Sequence, residues 1–210
     1  MSGELNDKRL NPWLSIWTKP RATIRQIVEE DPERLAFTLA ALWGIHSGLM
    51  RSRMFHFGDR YPITTLLLFV LIGGSIGGVL ALYLWGFLLR LTGSWLGGTA
   101  EANSARAALA WSQVPTVGKL VLWIPYYATY GPELFSTHQP QMDANPFPAL
   151  AVSLLALALA LWGFVILLKC LGEVHGFSAW RALGATLIAL LLFAAVVGIP
   201  VITVVLVMRG

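Results

Sequence analysis

From residue 35 onward, apolar runs of span-like length alternate with short polar connections, and the pattern predicts five membrane-crossing helices. The runs cover residues 35–50, 62–89, 105–127, 147–171 and 182–207. The first has 16 residues, about 24 Å of helix. It crosses only if the helix continues through Phe55 or Phe57 and carries Arg51 and Arg53 to the far interface. The second is long enough to cross with tilt, and the fifth contains Pro200, where a kink is expected. A glycine-rich link, "LTGSWLGGTAEANS", precedes the third run, and "ATYGPELFSTHQPQMDANPFP", which holds no lysine or arginine, precedes the fourth.

Ahead of these runs lies a polar segment, residues 1–34, set against a transmembrane domain over 35–210. Its stretch "NPWLSIWTKPRATIRQIVEEDP" predicts two short helical pieces. Asn11 caps the first with Pro12 at its first position, and Thr18 with Pro20 opens the second. Trp13 and Trp17 sit four apart on one face, while Ile24, Ile27 and Val28 lie opposite Arg21 and Arg25. A short amphipathic helix of this kind suits two places. It lies in the membrane interface with its arginines towards lipid phosphates, or it packs on the cytoplasmic side of the bundle.

Composition agrees with the pattern. The chain is 56% hydrophobic and 12% charged, where a soluble domain carries about 25% charge. No apolar stretch follows a short basic start, so a cleavable signal peptide is not expected. Cys170 is alone, which excludes an internal disulfide and a CxxC site. The pI near 9.5 is ordinary for basic cytoplasmic loops, and no nucleic-acid partner is expected. With five spans, ten Lys/Arg fall on the side of the N-terminus and four on the other. The N-terminus therefore belongs in the cytoplasm and the C-terminus outside. A four-span arrangement with the first run re-entrant divides the charges equally well. Tyr61, Tyr126, Tyr127 and Tyr130 gather at one interface, which is the outer one with five spans.

Three stretches carry a resemblance: "NPWLSIWTKPRATIRQIVEEDP", "RAALAWSQVP" entering the third run, and "GEVHGFSAWRAL" between the fourth and fifth. Together they resemble the bacterial branch of the Yip domain family, named for eukaryotic proteins that interact with Ypt/Rab GTPases. The resemblance implies five spans, a cytoplasmic N-terminus and a periplasmic C-terminus in a bacterial inner membrane. Eukaryotic relatives act in vesicle traffic and recruit prenylated GTPases. Their long cytoplasmic extension has no counterpart here, so the resemblance implies architecture rather than GTPase binding.

Four motifs bear on chemistry. "GGSIGG" sets Gly73 with Gly77, and Gly74 with Gly78, at the spacing that lets membrane helices approach closely. It predicts packing against another span of the chain or a homodimer seam. "GEVHGFS" places Glu173 and His175 two apart between glycines. It reads as a tight connection with Ser178 capping the fifth helix, or as a metal or proton site completed by His46 or Glu101. Two candidate ligands are too few for zinc, and no metal or cofactor is expected. "EEDPER" formally matches the EExxxR pattern of an intramembrane protease family, but it contains Pro32 and precedes the first run. No serine, histidine and acid assemble at one depth, and no enzymatic activity is expected.

"SQVPTVGKLVLWIPYY" holds the fourth motif, Lys119, in an apolar run between Pro115 and Pro125. A lysine at that depth costs about 2.5–3.5 kcal/mol on insertion scales. It lies about 12 Å from the nearer interface, roughly twice the reach of its stem. No carboxylate lies inside any span. The remaining partners are His46, Gln113, hydroxyls and the carbonyls that the prolines release. Lys119 is thus satisfied by carbonyls and water at a proline break, or it lines a cavity and attracts an anion. The leading reading is a non-enzymatic membrane-organising or adaptor protein. Trp13, Trp17, Arg21, Arg25, Glu173 and His175 form its cytoplasmic interface, which binds lipid headgroups, a protein partner or a second copy. The alternative is a small transporter or channel whose anionic or lipid-like substrate meets Lys119, Gln113 and His46.

Overall fold

The computed structural model describes residues 9–209, with side chains described as far as Gly198. Every regular element among them is helical. Asn11 caps α1 (Pro12–Ser15) by accepting the Trp13 N–H at 3.1 Å. The next helix, α2 (Pro20–Glu30), opens differently from expectation. Lys19 is its N-cap and no side chain caps it, because Pro20 itself starts the helix and lacks the N–H that Thr18 was expected to bind. α3 (Ala36–Met54) follows a turn.

A helix of 33 residues, Ile63–Trp95, comes next. It is α-helical over Ile63–Phe69 (α4), takes a π turn at Val70–Gly74, and resumes over Ser75–Trp95 (α5). Its buried face repeats every four residues: Leu66, Val70, Gly78, Leu82 and Gly86, with Gly74 half-buried among them. Four residues at about 100° each overshoot a turn by about 40°. The π turn takes more residues per turn and absorbs part of that drift. The stripe therefore stays against α3.

The third expected span, 105–127, is two helices: α6 (Ala102–Ser112) and α7 (Val114–Tyr130), jointed at Gln113. Pro115 has no N–H to bond to the carbonyl of Trp111, and its ring crowds that carbonyl, so the chain restarts its helix there. Ala-rich α6 lies at the centre of the bundle, with Ala105, Ala107 and Ala108 fully buried, and touches α2, α3, α5 and α9. Short α8 (Pro140–Ala144) leads into α9 (Phe147–Val174), and α10 (Ala179–Arg209) completes the chain. Side chains around Pro200 lie outside the described residues, and the backbone there belongs to the same helix.

Among the described residues, three helices are long and apolar enough to cross a membrane: Ile63–Trp95, Phe147–Val174 and Ala179–Gly198. Their outward faces carry bare leucines. Leu68, Leu80, Leu154, Leu161 and Leu191 are all more than half exposed. A soluble monomer rarely carries so continuous an apolar surface. α3 runs antiparallel along the long helix, with Gly44 against Gly74 and Gly78, and Gly48 against Val70.

Two clusters form the core. One gathers Ile16, Ile24, Leu39, Trp111, Ile166 and Leu171 at the end where α1 and α2 sit. The other gathers Leu66, Val70, Tyr126, Tyr130 and Phe135 at the opposite end. Loops close that opposite end. Thr137 donates its N–H and hydroxyl to the Asp59 carboxylate, and Glu133 accepts the N–H groups of Gln141 and Met142. The contacts from Thr137 hold the Asp59 carboxyl below its ordinary value.

Candidate functional site

α3, α7 and α9 each present residues at helical spacing to a shared space. Facing it are His46, Met50 and Arg53 on α3, and Lys119, Trp123 and Tyr126 on α7, each set spaced i, i+4, i+7. Val152, Ala156 and Ala160 of α9 close the far wall. The cavity is about 300 Å³ and is open on one side.

Lys119 is only 8% exposed. Among the described residues its ammonium has no hydrogen bond and no ion-pair partner, and it borders the cavity. Trp123 Nε1 donates to His46 Nδ1 at 3.3 Å, which leaves Nε2 of His46 to carry the proton. Towards the Tyr126 end, the Arg53 guanidinium stacks 5.0 Å from the Tyr126 ring centroid. The Tyr126 hydroxyl is buried and finds no partner. Ser153 adds one hydroxyl-bearing residue to the lining. Two cations, an orphaned hydroxyl and an imidazole therefore border one space that contains no carboxylate. Such a lining attracts an anion, and its apolar walls suit a lipid-like one.

His46 and Lys119 border the same space, and Gln113 does not line it. It sits at the α6–α7 joint, about 9 Å along the helix axis from Lys119. Its Nε2 is 3.5 Å from the Ser112 hydroxyl. Arg53, Trp123 and Tyr126 are the residues that sequence reading overlooked. The matched i, i+4, i+7 spacing from His46 and from Lys119 is the signal that finds them.

The second predicted cluster splits into two arrangements. Glu173, at the end of α9, reaches across to α2. Arg25 Nε donates to its Oε1 at 2.8 Å, and Arg21 donates to its Oε2 at 3.2 Å. This carboxylate raises the Arg25 pKa further above its ordinary value. Beneath the clasp, Thr23, Ile24 and Ile27 are buried against the bundle. The structure therefore gives both arginines an intramolecular partner, which favours the packed placement of α2 over arginines directed to lipid. Trp13 packs edge-on to Trp111, with ring centroids 5.5 Å apart, and the Trp17 carbonyl accepts the Trp162 N–H at 3.2 Å.

His175 points away from Glu173. It is 2% exposed, stacks on Phe177 with ring centroids 5.0 Å apart, and fills the space that side chains at Gly93 and Gly98 would occupy. Its Nδ1 accepts the Ala100 N–H at 3.4 Å, while Nε2 has no partner. Burial lowers its pKa. Gly176, at φ +72°, makes the turn, and Ser178 Oγ accepts the Arg181 N–H at 3.4 Å. Among the described residues no group of His, Cys, Asp or Glu is placed to hold a metal ion.

In the glycine motif, Gly74 and Gly78 face α3, whereas Gly73 and Gly77 face open space. Only one of the two pairs is used within the chain.

An all-helical bundle with bare apolar outer faces and a cation-lined cavity among its helices defines an integral membrane protein. Residues 14–200 match the Yip1 domain, and the chain belongs to that family. No curated protein and no solved structure matches it.

Proposed function

We propose that this chain is a non-enzymatic, membrane-organising protein that retains an anionic lipid, with the acidic group of the lipid held against Lys119 in the α3–α7–α9 cavity. One observation carries the reading: Lys119, 8% exposed, presents an ammonium without an acceptor to a cavity lined by no carboxylate. An unpaired buried charge is costly and is relieved by a ligand of opposite sign. Arg53 at the Tyr126 end gives that ligand a second cation on its way in.

In the same reading, α3, the α4–α5 helix, the α6–α7 pair, α9 and α10 make five crossings of a bacterial inner membrane. The N-terminus is cytoplasmic and the C-terminus periplasmic. The distribution of Lys and Arg supports this orientation. The length of α3, 19 residues or about 28 Å, supports its crossing.

The test is native mass spectrometry of delipidated protein titrated with phosphatidylglycerol and with phosphatidylcholine. Wild type and Lys119→Arg bind phosphatidylglycerol in preference, and Lys119→Met loses about tenfold in affinity. Without lipid, Lys119→Met is the more stable protein by about 1–3 kcal/mol, because an uncompensated buried charge is gone. Undiminished phosphatidylglycerol binding by Lys119→Met sinks the proposal. Lysine-dependent anion flux in reconstituted vesicles, without lipid retention, replaces it with a transporter.

A further inference from the structure

A second space lies on the other side of α3, between it and the α4–α5 helix. It is a groove of about 470 Å³. Its floor is the unused half of the glycine motif: a side chain at Gly73 or Gly77 would meet nothing within 4 Å. Trp43 and Ala81 lie at one end, and Tyr61, Arg60 and Arg51 at the other. From Leu66 to Ala81 the groove follows about 22 Å of helix, against about 15 Å for one leaflet of a 30 Å hydrocarbon core.

The end near Tyr61 is charged. Arg51 and Arg60 border it, and neither pairs with a carboxylate among the described residues. The nearest acid in sequence, Asp59, is taken up by Thr137. Between the charged end and the apolar floor sits Ser52, 3% exposed, which borders the groove and makes no side-chain hydrogen bond. Two guanidiniums without a carboxylate partner, then a serine whose hydroxyl makes no side-chain hydrogen bond, then an apolar slot match the order of groups in a glycerophospholipid.

We propose that this groove binds one anionic phospholipid from the leaflet on the Arg60 side. Its phosphate lies against Arg51 and Arg60, its glycerol-ester region beside Ser52, and one acyl chain lies over Gly73 and Gly77. Charge complementarity favours a lipid over a second copy of the chain. A symmetric partner would set concave glycine floor against concave glycine floor and leave both pairs of arginines unneutralised. The site is separate from the Lys119 cavity, which opens on the opposite face of α3.

Native mass spectrometry with phosphatidylglycerol tests this with four proteins: wild type, Gly77→Leu, the double variant Arg51→Gln/Arg60→Gln, and Lys119→Met. Gly77→Leu fills the slot without touching the fold, since the position faces open space. Wild type binds two phosphatidylglycerol molecules. Gly77→Leu and the arginine variant each lose one, with affinity at that site falling about tenfold, and keep the one that Lys119→Met loses. Wild-type occupancy in both groove variants overturns the groove and leaves the Lys119 reading standing. Loss confined to the groove variants, with Lys119→Met unchanged, does the reverse. A wild-type dimer that Gly77→Leu converts to a monomer replaces the lipid with a second copy.

Discussion

At the scale of single residues, His175 has a consequence for pH. Its ring is buried among Phe177, Gly93 and Gly98, and burial holds its pKa below the ordinary 6.5. The unfolded chain therefore takes up a proton at a pH where the folded chain does not. Stability from this group is complete above about 6.5 and is lost as pH falls towards the folded value. The thermal midpoint in detergent should drop between pH 7 and pH 5, and His175→Gln should flatten that slope. Equal slopes in the two proteins would remove His175 as the cause. The sequence made this residue visible, since glycines around a histidine at a helix end mark a tight connection. It did not show that Glu173 and His175 serve different neighbours. Two residues apart at a helix terminus they diverge, and the partners that separate them, Arg21 and Gly93, lie far away in sequence. Lys119 was legible for the opposite reason. A lone cation in an apolar run violates a strong rule on its own, without knowledge of any partner.

Among the elements, the glycine seam carries a sharp contrast. A Cβ on Gly78 would fall 2.8 Å from Gly44 Cα and still closer to the Ala40 carbonyl, so both are backbone contacts that cannot yield. Gly78→Ala must push α3 and α5 apart, at an expected cost of about 2–4 kcal/mol. Gly73→Ala meets nothing, and replacing a mid-helix glycine gains about 0.5–1 kcal/mol. Thermal unfolding of the two variants checks the pair. Equal destabilisation would mean that α3 does not pack on this seam. The motif announced close packing but not which pair of glycines faces inward, because the π turn at Val70–Gly74 resets the phase of the helix just before it. The break at Gln113 was partly legible: Pro115 marked a disturbance in the span. A released carbonyl does not distinguish a kinked helix from two helices, and the buried alanines of α6 decide for two by fixing its direction within the bundle.

For the whole molecule, crossing by α3 sets the topology, and a crossing and a re-entrant α3 place the same residues on opposite sides. With five crossings, Glu29 and Arg181 are cytoplasmic and His138 is outside. With α3 re-entrant, Glu29 and His138 share the cytoplasmic side and Arg181 is outside. All three positions are exposed, and Cys170 is fully buried, so the native thiol stays silent towards a bulky impermeant reagent. Glu29→Cys, His138→Cys and Arg181→Cys in intact, sealed membranes of known orientation therefore report topology directly. The expected result is labelling of His138→Cys alone, with the other two reacting only after the membrane is opened. α3 supplies the physical reason. It packs antiparallel on the α4–α5 helix, through backbone contacts at Gly74 and Gly78 that allow no slack and through the Val70 side chain against Gly48. A re-entrant hairpin would have to give up that seam or carry Arg51 and Arg53 back through the apolar layer, at about 2.5–3.5 kcal/mol for each charge. Labelling of Arg181→Cys in place of His138→Cys would show that the seam forms without crossing. It would also return the Arg51–Arg60 groove to the cytoplasmic leaflet.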